Sequence, residues 1–237
     1  FLNALFGILL SALFIFSALA LLFAPIFILI FAPGFYFDTQ KQDLAVSLLR
    51  IMFPYLALIS LVAFAAGIQN SHNKFSIPAV TPLIFNLSLI CSAWLVAPKI
   101  EIPVMALAWG VLLAGFLQLL FQIAPLATIK KMPVPKIDFQ NPGVKKFFIL
   151  ILPAIIAGGI AQINLLVDTI FASLLITGSP TWLYVSDRLI QFPMGIFAIA
   201  IGTVLLPSLS KAYAKKEIEA FTDQLAHAFK LIFFLAI

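Results

Sequence analysis

The sequence predicts an all-α, polytopic membrane helix bundle, and three observations carry that expectation. Hydrophobic residues fill 63% of the 237 positions and charged residues only 10%, with a mean hydropathy of +1.16. A water-soluble domain has no means of hiding so much apolar surface. The apolar residues gather into runs of the length a helix needs, about 20 residues for a hydrocarbon core of about 30 Å. No ten-residue alternation suggests barrel strands, and open strands would leave backbone polar groups unsatisfied in lipid.

Six full spans are expected, with the start of a seventh. The first, Asn3–Ala32, is free of charge. The second, Leu44–Gln69, holds Arg50 just inside its beginning and Pro54 in its body. The third, Ile77–Ala97, includes Pro78, Pro82 and the single cysteine, Cys91. The fourth, Val104–Ala124, contains Gln118 and Gln122. The fifth, Phe147–Ile176, carries Pro153 and Asp168. The sixth, Trp182–Pro207, carries Asp187 and Arg188 near its start and Pro193 further on. A seventh helix begins near Lys216. Each proline within or at the start of a span removes a helical hydrogen bond and favours a kink or half-break. Small residues mark places for close helix packing: Ala157, Gly158, Gly159 and Ala161 in the fifth span, and Gly195, Ala198, Ala200 and Gly202 in the sixth. The chain opens on Phe1, enters a span almost at once and stops at Ile237 inside an apolar segment, so it reads as an internal piece of a larger transporter-like protein.

Basic residues accumulate on the cytoplasmic side of membrane proteins. One set of loops carries Lys74, then Lys130, Lys131, Lys136, Lys145 and Lys146, then Lys211, Lys215 and Lys216, whereas the alternate loops hold Lys41 and Lys99 beside Asp38, Asp43 and Glu101. The first helix is therefore expected to run outward, with the segment 127–146 in the cytoplasm. The net charge of +5 reflects this asymmetry and implies a topology signal beside anionic lipid, with no nucleic-acid partner. Five connections are short, but 128–143 is long, basic and proline-rich, which makes it the expected boundary between two lobes.

Catalytic signatures are missing from the sequence. Asp168 and Asp187 stand 19 residues apart, too far to read as a paired metal-binding set. His72 and His227 have no Cys or second His at ligand spacing, and Cys91 is a packed thiol by expectation. Neither a Gly-x-Ser-x-Gly elbow nor a glycine-rich phosphate loop occurs. The chain is expected not to be an enzyme.

A sparse set of polar groups at membrane depth remains: Gln118, Gln122, Gln162, Asn164, Asp168, Asp187, Arg188 and Gln191. Ionisable side chains in such places are costly, and usually face a bundle interior or a wet cavity. The pair Asp187-Arg188 is accordingly expected to be buried beside a polar path. Asn164 and Asp168, four residues apart, share a helix face; they serve either a coupling ion or proton, or a helix–helix hydrogen bond. Arg188 offers a planar five-donor fork suited to phosphate, or else forms an interfacial anchor with Asp187.

The run Leu183–Ser210, which includes Ser186-Asp-Arg-Leu-Ile-Gln-Phe-Pro-Met-Gly195, resembles the signature helix of the MurJ/MviN family of lipid II flippases. The likeness extends to Ala32-Pro-Gly-Phe35, Phe53-Pro-Tyr55, Gln69-Asn-Ser71, Phe75-Ser-Ile-Pro-Ala79, and Gln162-Ile-Asn164 through Asp168-Thr-Ile-Phe-Ala-Ser173, in order along nearly the whole chain. The resemblance implies the partial two-lobe fold of the multidrug and polysaccharide exporter superfamily, running from the third helix to the beginning of the ninth. Residues 1–126 would be part of the N-terminal lobe, 127–146 the cytoplasmic linker and 147–237 part of the C-terminal lobe. It also implies alternating access in the bacterial inner membrane, with lipid II and membrane lipid as partners. Arg188 would bind the headgroup beside Asp187 and Gln191. Asp168, with Asn164, would lie at a sodium or proton coupling site, and no cofactor is expected. A polysaccharide-lipid or multidrug exporter of the same superfamily is the alternative.

Overall fold

The computed structural model describes residues 1–129, 131–193, 221–226, 229–230 and 233, and every regular element among them is helical. Helix α1 (Leu2–Leu22) ends at Phe23, whose φ of −96° and ψ of 19° break the helix before α2 (Ala24–Phe31). The cause is Pro25, which has no N–H to give the Leu21 carbonyl four residues earlier. Arg50 Nε supplies a donor to that carbonyl instead, at 3.4 Å. The single first span expected from hydropathy is thus two helices, and this proline is not among those expected to interrupt a span.

A short 3-10 turn, Pro33–Phe37, leads to α3 (Thr39–Met52). Asp38 caps that helix, its Oδ1 accepting from the Lys41 amide at 3.2 Å while Oδ2 pairs with Lys41 Nζ at 3.0 Å. The Lys41 side chain holds the Asp38 carboxyl below its ordinary value of 3.8. Phe53 separates α3 from α4 (Pro54–Ser71), where Pro54 sits in the first turn, the position that tolerates proline best. Helix α5 (Ser76–Cys91) contains Pro82 and continues through a π turn, Ser92–Val96, and a 3-10 turn, Ala97–Lys99. Then come α6 (Pro103–Thr128), α7 (Pro142–Leu174) and α8 (Ser179–Pro193).

Five stretches among the described residues are long and apolar enough to cross a membrane: Leu2–Leu22, Thr39–Ser71, Ser76–Lys99, Pro103–Thr128 and Pro142–Leu174. They correspond to the first five expected spans. α8 covers the start of the sixth, while the rest of that run, with Gly195, Ala198, Ala200 and Gly202, lies outside the described residues, as does the start of the seventh near Lys216.

Helix α6 is the axis on which α4 and α5 pack. Its buried residues include a row four residues apart, Ala106, Gly110, Ala114, Gln118, Gln122 and Leu126, which winds slowly round the helix with each member one turn from the next. Small side chains let neighbouring backbones approach closely, which is the main source of helix association where lipid supplies no hydrophobic drive. α7 touches the preceding helices at its two ends. Val144 packs with Ala4, Leu5 and Ile8 near its start, joined by Phe64 and Phe147. Near its finish the Gly34 amide donates to Ser173 Oγ at 3.2 Å. The backbones are so close there that a Cβ on Gly34 would collide with the Ser173 carbonyl. Between these ends Leu152, Ile155, Ile156 and Ile160 are exposed. The close packing expected there is not formed at Gly158 or Gly159 among the described residues, since a Cβ at either would meet nothing within 4 Å.

Packing groups Phe1–Leu174 into one unit and Leu175–Ile237 into another. The proline-rich 127–146 segment lies in the first, where Asn3 receives the Val134 amide on Oδ1 at 3.0 Å and the Lys136 amide on its carbonyl at 3.1 Å.

Candidate functional site: a polar stripe on α8 and polar groups in α6 and α7

Gly178 takes a φ of 104°, a left-handed conformation open to glycine, and its carbonyl accepts the Trp182 amide at 2.9 Å as α8 begins. Tyr184, Asp187, Arg188 and Gln191 follow at spacings of three and four residues, so one face of the helix carries all of them. The Arg188 guanidinium carbon stands 5.0 Å from the centre of the Tyr184 ring. Gln191 bridges the two charges: its Nε2 donates to Asp187 Oδ2 at 2.5 Å, and its Oε1 accepts from an Arg188 Nη at 3.5 Å.

Both members of the Asp187-Arg188 pair are exposed among the described residues, contrary to the burial expected from sequence. Nor do they form an ion pair with each other; the ion pair found among the described residues is Lys41 with Asp38. The reason is helical geometry. Consecutive side chains diverge by about 100° around a helix axis, and each finds a better partner three or four residues away. Among the described residues the Arg188 guanidinium gives one hydrogen bond, to Gln191, and its planar fork of donors is of the kind that receives a phosphate or carboxylate.

On α7 the structure places Asn164 and Asp168 one turn apart, both exposed and neither side chain hydrogen-bonded to a described residue. Gln162 lies a little earlier and, with Phe31, Leu165, Leu166 and Thr169, lines a cavity of about 300 Å³ between α2 and α7.

Gln118 and Gln122 behave differently from the others. Gln122 is fully buried, accepts a hydrogen bond on Oε1 from the equally buried Gln69 Nε2, and donates from Nε2 to Thr81 Oγ1 at 2.8 Å. Gln118 Nε2 donates to the Thr81 carbonyl at 3.1 Å. Tyr55, Pro82 and Phe85 join Thr81, Gln118 and Gln122 around a cavity of about 310 Å³. Gln69 and Thr81 were not anticipated as partners; the readable signal was the four-residue spacing of the two α6 glutamines, which demands polar company on facing helices. His72 Nδ1 is satisfied by the Ile68 carbonyl at 2.9 Å. No cluster of three metal-ligating side chains occurs among the described residues, Cys91 is exposed rather than packed, and His227 lies outside them.

Five helices long and apolar enough to cross a membrane, threaded with a few polar groups, define a multi-pass membrane protein. The family model described as lipid II flippase MurJ matches residues 1–237. The lipid II flippase MurJ of Burkholderia cenocepacia is 39% identical over 209 residues, covering 86% of this chain and 40% of that protein. The probable lipid II flippase MurJ of Vibrio cholerae is 40% identical over 215 residues, covering 88% and 41%. A solved structure of lipid II flippase MurJ in an inward closed conformation superposes with a TM-score of 0.78 at 28% identity, covering all of this chain and 48% of that one. The chain belongs to the MurJ lipid II flippase family. It spans about two fifths of the length of these curated relatives.

Proposed function

We propose that this chain forms part of a lipid II flippase of the bacterial inner membrane, with residues 1–126 in the N-terminal lobe, 127–146 as the cytoplasmic linker and 147–237 in the C-terminal lobe. The headgroup binds from the cytoplasmic side, the lobes rock, and the headgroup leaves on the outer side while the undecaprenyl tail stays in lipid. The physical need is plain: a naked charged group in hydrocarbon costs tens of kcal/mol by idealised solvation. A wet cationic cavity replaces the lost water.

Arg188 takes the diphosphate oxygens on its donor fork, and Asp187 and Gln191 meet polar groups beside it. Asp168, with Asn164, serves a sodium ion or proton that resets the empty carrier. No bond is made or broken in this cycle, so the protein acts as a transporter rather than an enzyme. The observation that carries the reading is Arg188, held on one face of α8 with its charge not paired to Asp187, in a chain matched by the family model from end to end.

Arg188→Ala in the full-length protein is expected to abolish growth of a flippase-depleted strain while membrane insertion stays intact. Normal growth of that strain would remove the headgroup role. Build-up of lipid II on depletion, rather than of another lipid-linked sugar, identifies the cargo.

A further inference from the structure

Resting on that reading of Arg188, we propose that Tyr184 is a positioning residue for it. The phenol ring is a platform that holds the guanidinium plane against α8 and aims its N–H fork at the oxyanions of the lipid headgroup. Three observations converge on this. The ring centre is 5.0 Å from the guanidinium carbon, within the range of an energetically significant cation–π contact. Tyr184 precedes Arg188 by four residues, the spacing at which helical side chains lie one above the other. And the neighbouring carboxylate turns elsewhere: consecutive side chains diverge around the helix, and Asp187 Oδ2 accepts from Gln191 at 2.5 Å rather than from Arg188.

Arginine has long, rotamer-rich reach, and on an exposed helix face it would otherwise sample many directions. A phosphate has to find the fork in one orientation to be held by two parallel N–H bonds. The ring face restricts the side chain without cancelling its charge, which a carboxylate partner would do. Gln191 adds a weaker restraint from the other side through its Oε1, 3.5 Å from an Arg188 Nη. Tyr184 itself touches no headgroup atom in this scheme and acts through Arg188.

The test uses the full-length protein in detergent, with undecaprenyl diphosphate as the probe and binding read by native mass spectrometry. Tyr184→Leu is expected to weaken binding about fivefold, in line with an exposed cation–π contact, and Tyr184→Phe, which keeps the ring, to stay within about twofold of the starting protein. In an Arg188→Ala background, Tyr184→Leu is expected to have no further effect, because the group it positions is gone. Equal losses with and without Arg188, or equal losses for the Phe and Leu variants, overturn the positioning role. A separate result bears on the reading beneath it: if Arg188→Ala alone binds the probe like the starting protein, the headgroup site lies elsewhere and this proposal falls with it. Should Tyr184→Leu insert poorly, Tyr184→Met supplies an unbranched, ringless replacement for the same comparison.

Discussion

Helices α6 and α7 invite comparison, because each is long and apolar, carries an internal proline (Pro125 and Pro153), and presents two polar side chains four residues apart. In α6 the pair is Gln118 and Gln122, buried and bonded to Gln69 and Thr81 on two other helices. In α7 the pair is Asn164 and Asp168, exposed and with neither side chain hydrogen-bonded to any described residue. The same spacing therefore serves two ends. Carboxamides carry both donors and acceptors, and the N–H groups of Gln69, Gln118 and Gln122 link three helices, while Gln69 Oε1 and Gln118 Oε1 stay buried without a partner among the described residues. A carboxylate has acceptors only when ionised and needs a cation or a donor from elsewhere. Both helices carry small residues, so what separates the two pairs is whether neighbours close onto them: α4 and α5 pack on α6, whereas a Cβ at Gly158 or Gly159 of α7 would meet nothing within 4 Å among the described residues.

Substitutions break or sharpen this contrast. Gln122→Leu is expected to have the largest effect, destabilising the full-length protein by about 2–3 kcal/mol in a detergent melt, since it leaves the Gln69 amide and the Thr81 hydroxyl short of a buried partner. Gly34→Ala comes next, at about 1–2 kcal/mol, because the new methyl overpacks the contact with Ser173; raised labelling of a cysteine placed at Ser173 would register the parting. Asn164→Leu is expected to change the melt by no more than about 0.5 kcal/mol. If it costs as much as Gln122→Leu, the distinction between the two helices collapses. The smallest effect concerns Asp38. Its folded-state pKa is depressed by Lys41, so its contribution to stability is present above the ordinary value of 3.8 and fades as pH falls through the lower folded value. Carbon-detected titration is expected to give a midpoint below 3.8, and Lys41→Met to raise it.

Hydropathy made the five spans legible because lipid solvent imposes length and composition on every crossing helix. The break at Phe23 was equally present in the sequence, in Pro25, but a long uncharged run masks a proline that sits between two stretches each apolar in its own right. Partners were harder to read. Gln118 and Gln122 were visible as polar groups at depth, whereas Gln69 and Thr81 lie 53 and 41 residues before Gln122 and meet it only through tertiary packing. The polar stripe of α8 was legible in its charges and in Gln191, but not in Tyr184, since an aromatic residue in an apolar run carries no mark of what rests on its ring. Burial of Asp187 and Arg188 was expected from the cost of charge in lipid, and that argument fixes no partner for either side chain.

Asn3 has a mechanical consequence. By gripping the amides of Val134 and Lys136 it takes up most of the slack in the long proline-rich connection, and the tight fit of Gly7 against the Lys136 backbone clamps the same point. Only residues 137–141 then remain as leash before α7, a reach of at most about 18 Å when drawn taut. The lysine-bearing end of α7 is hung like a door on its hinge post, so any swing of that helix away from α1 must be widest at the far edge, where Ser173 meets Gly34.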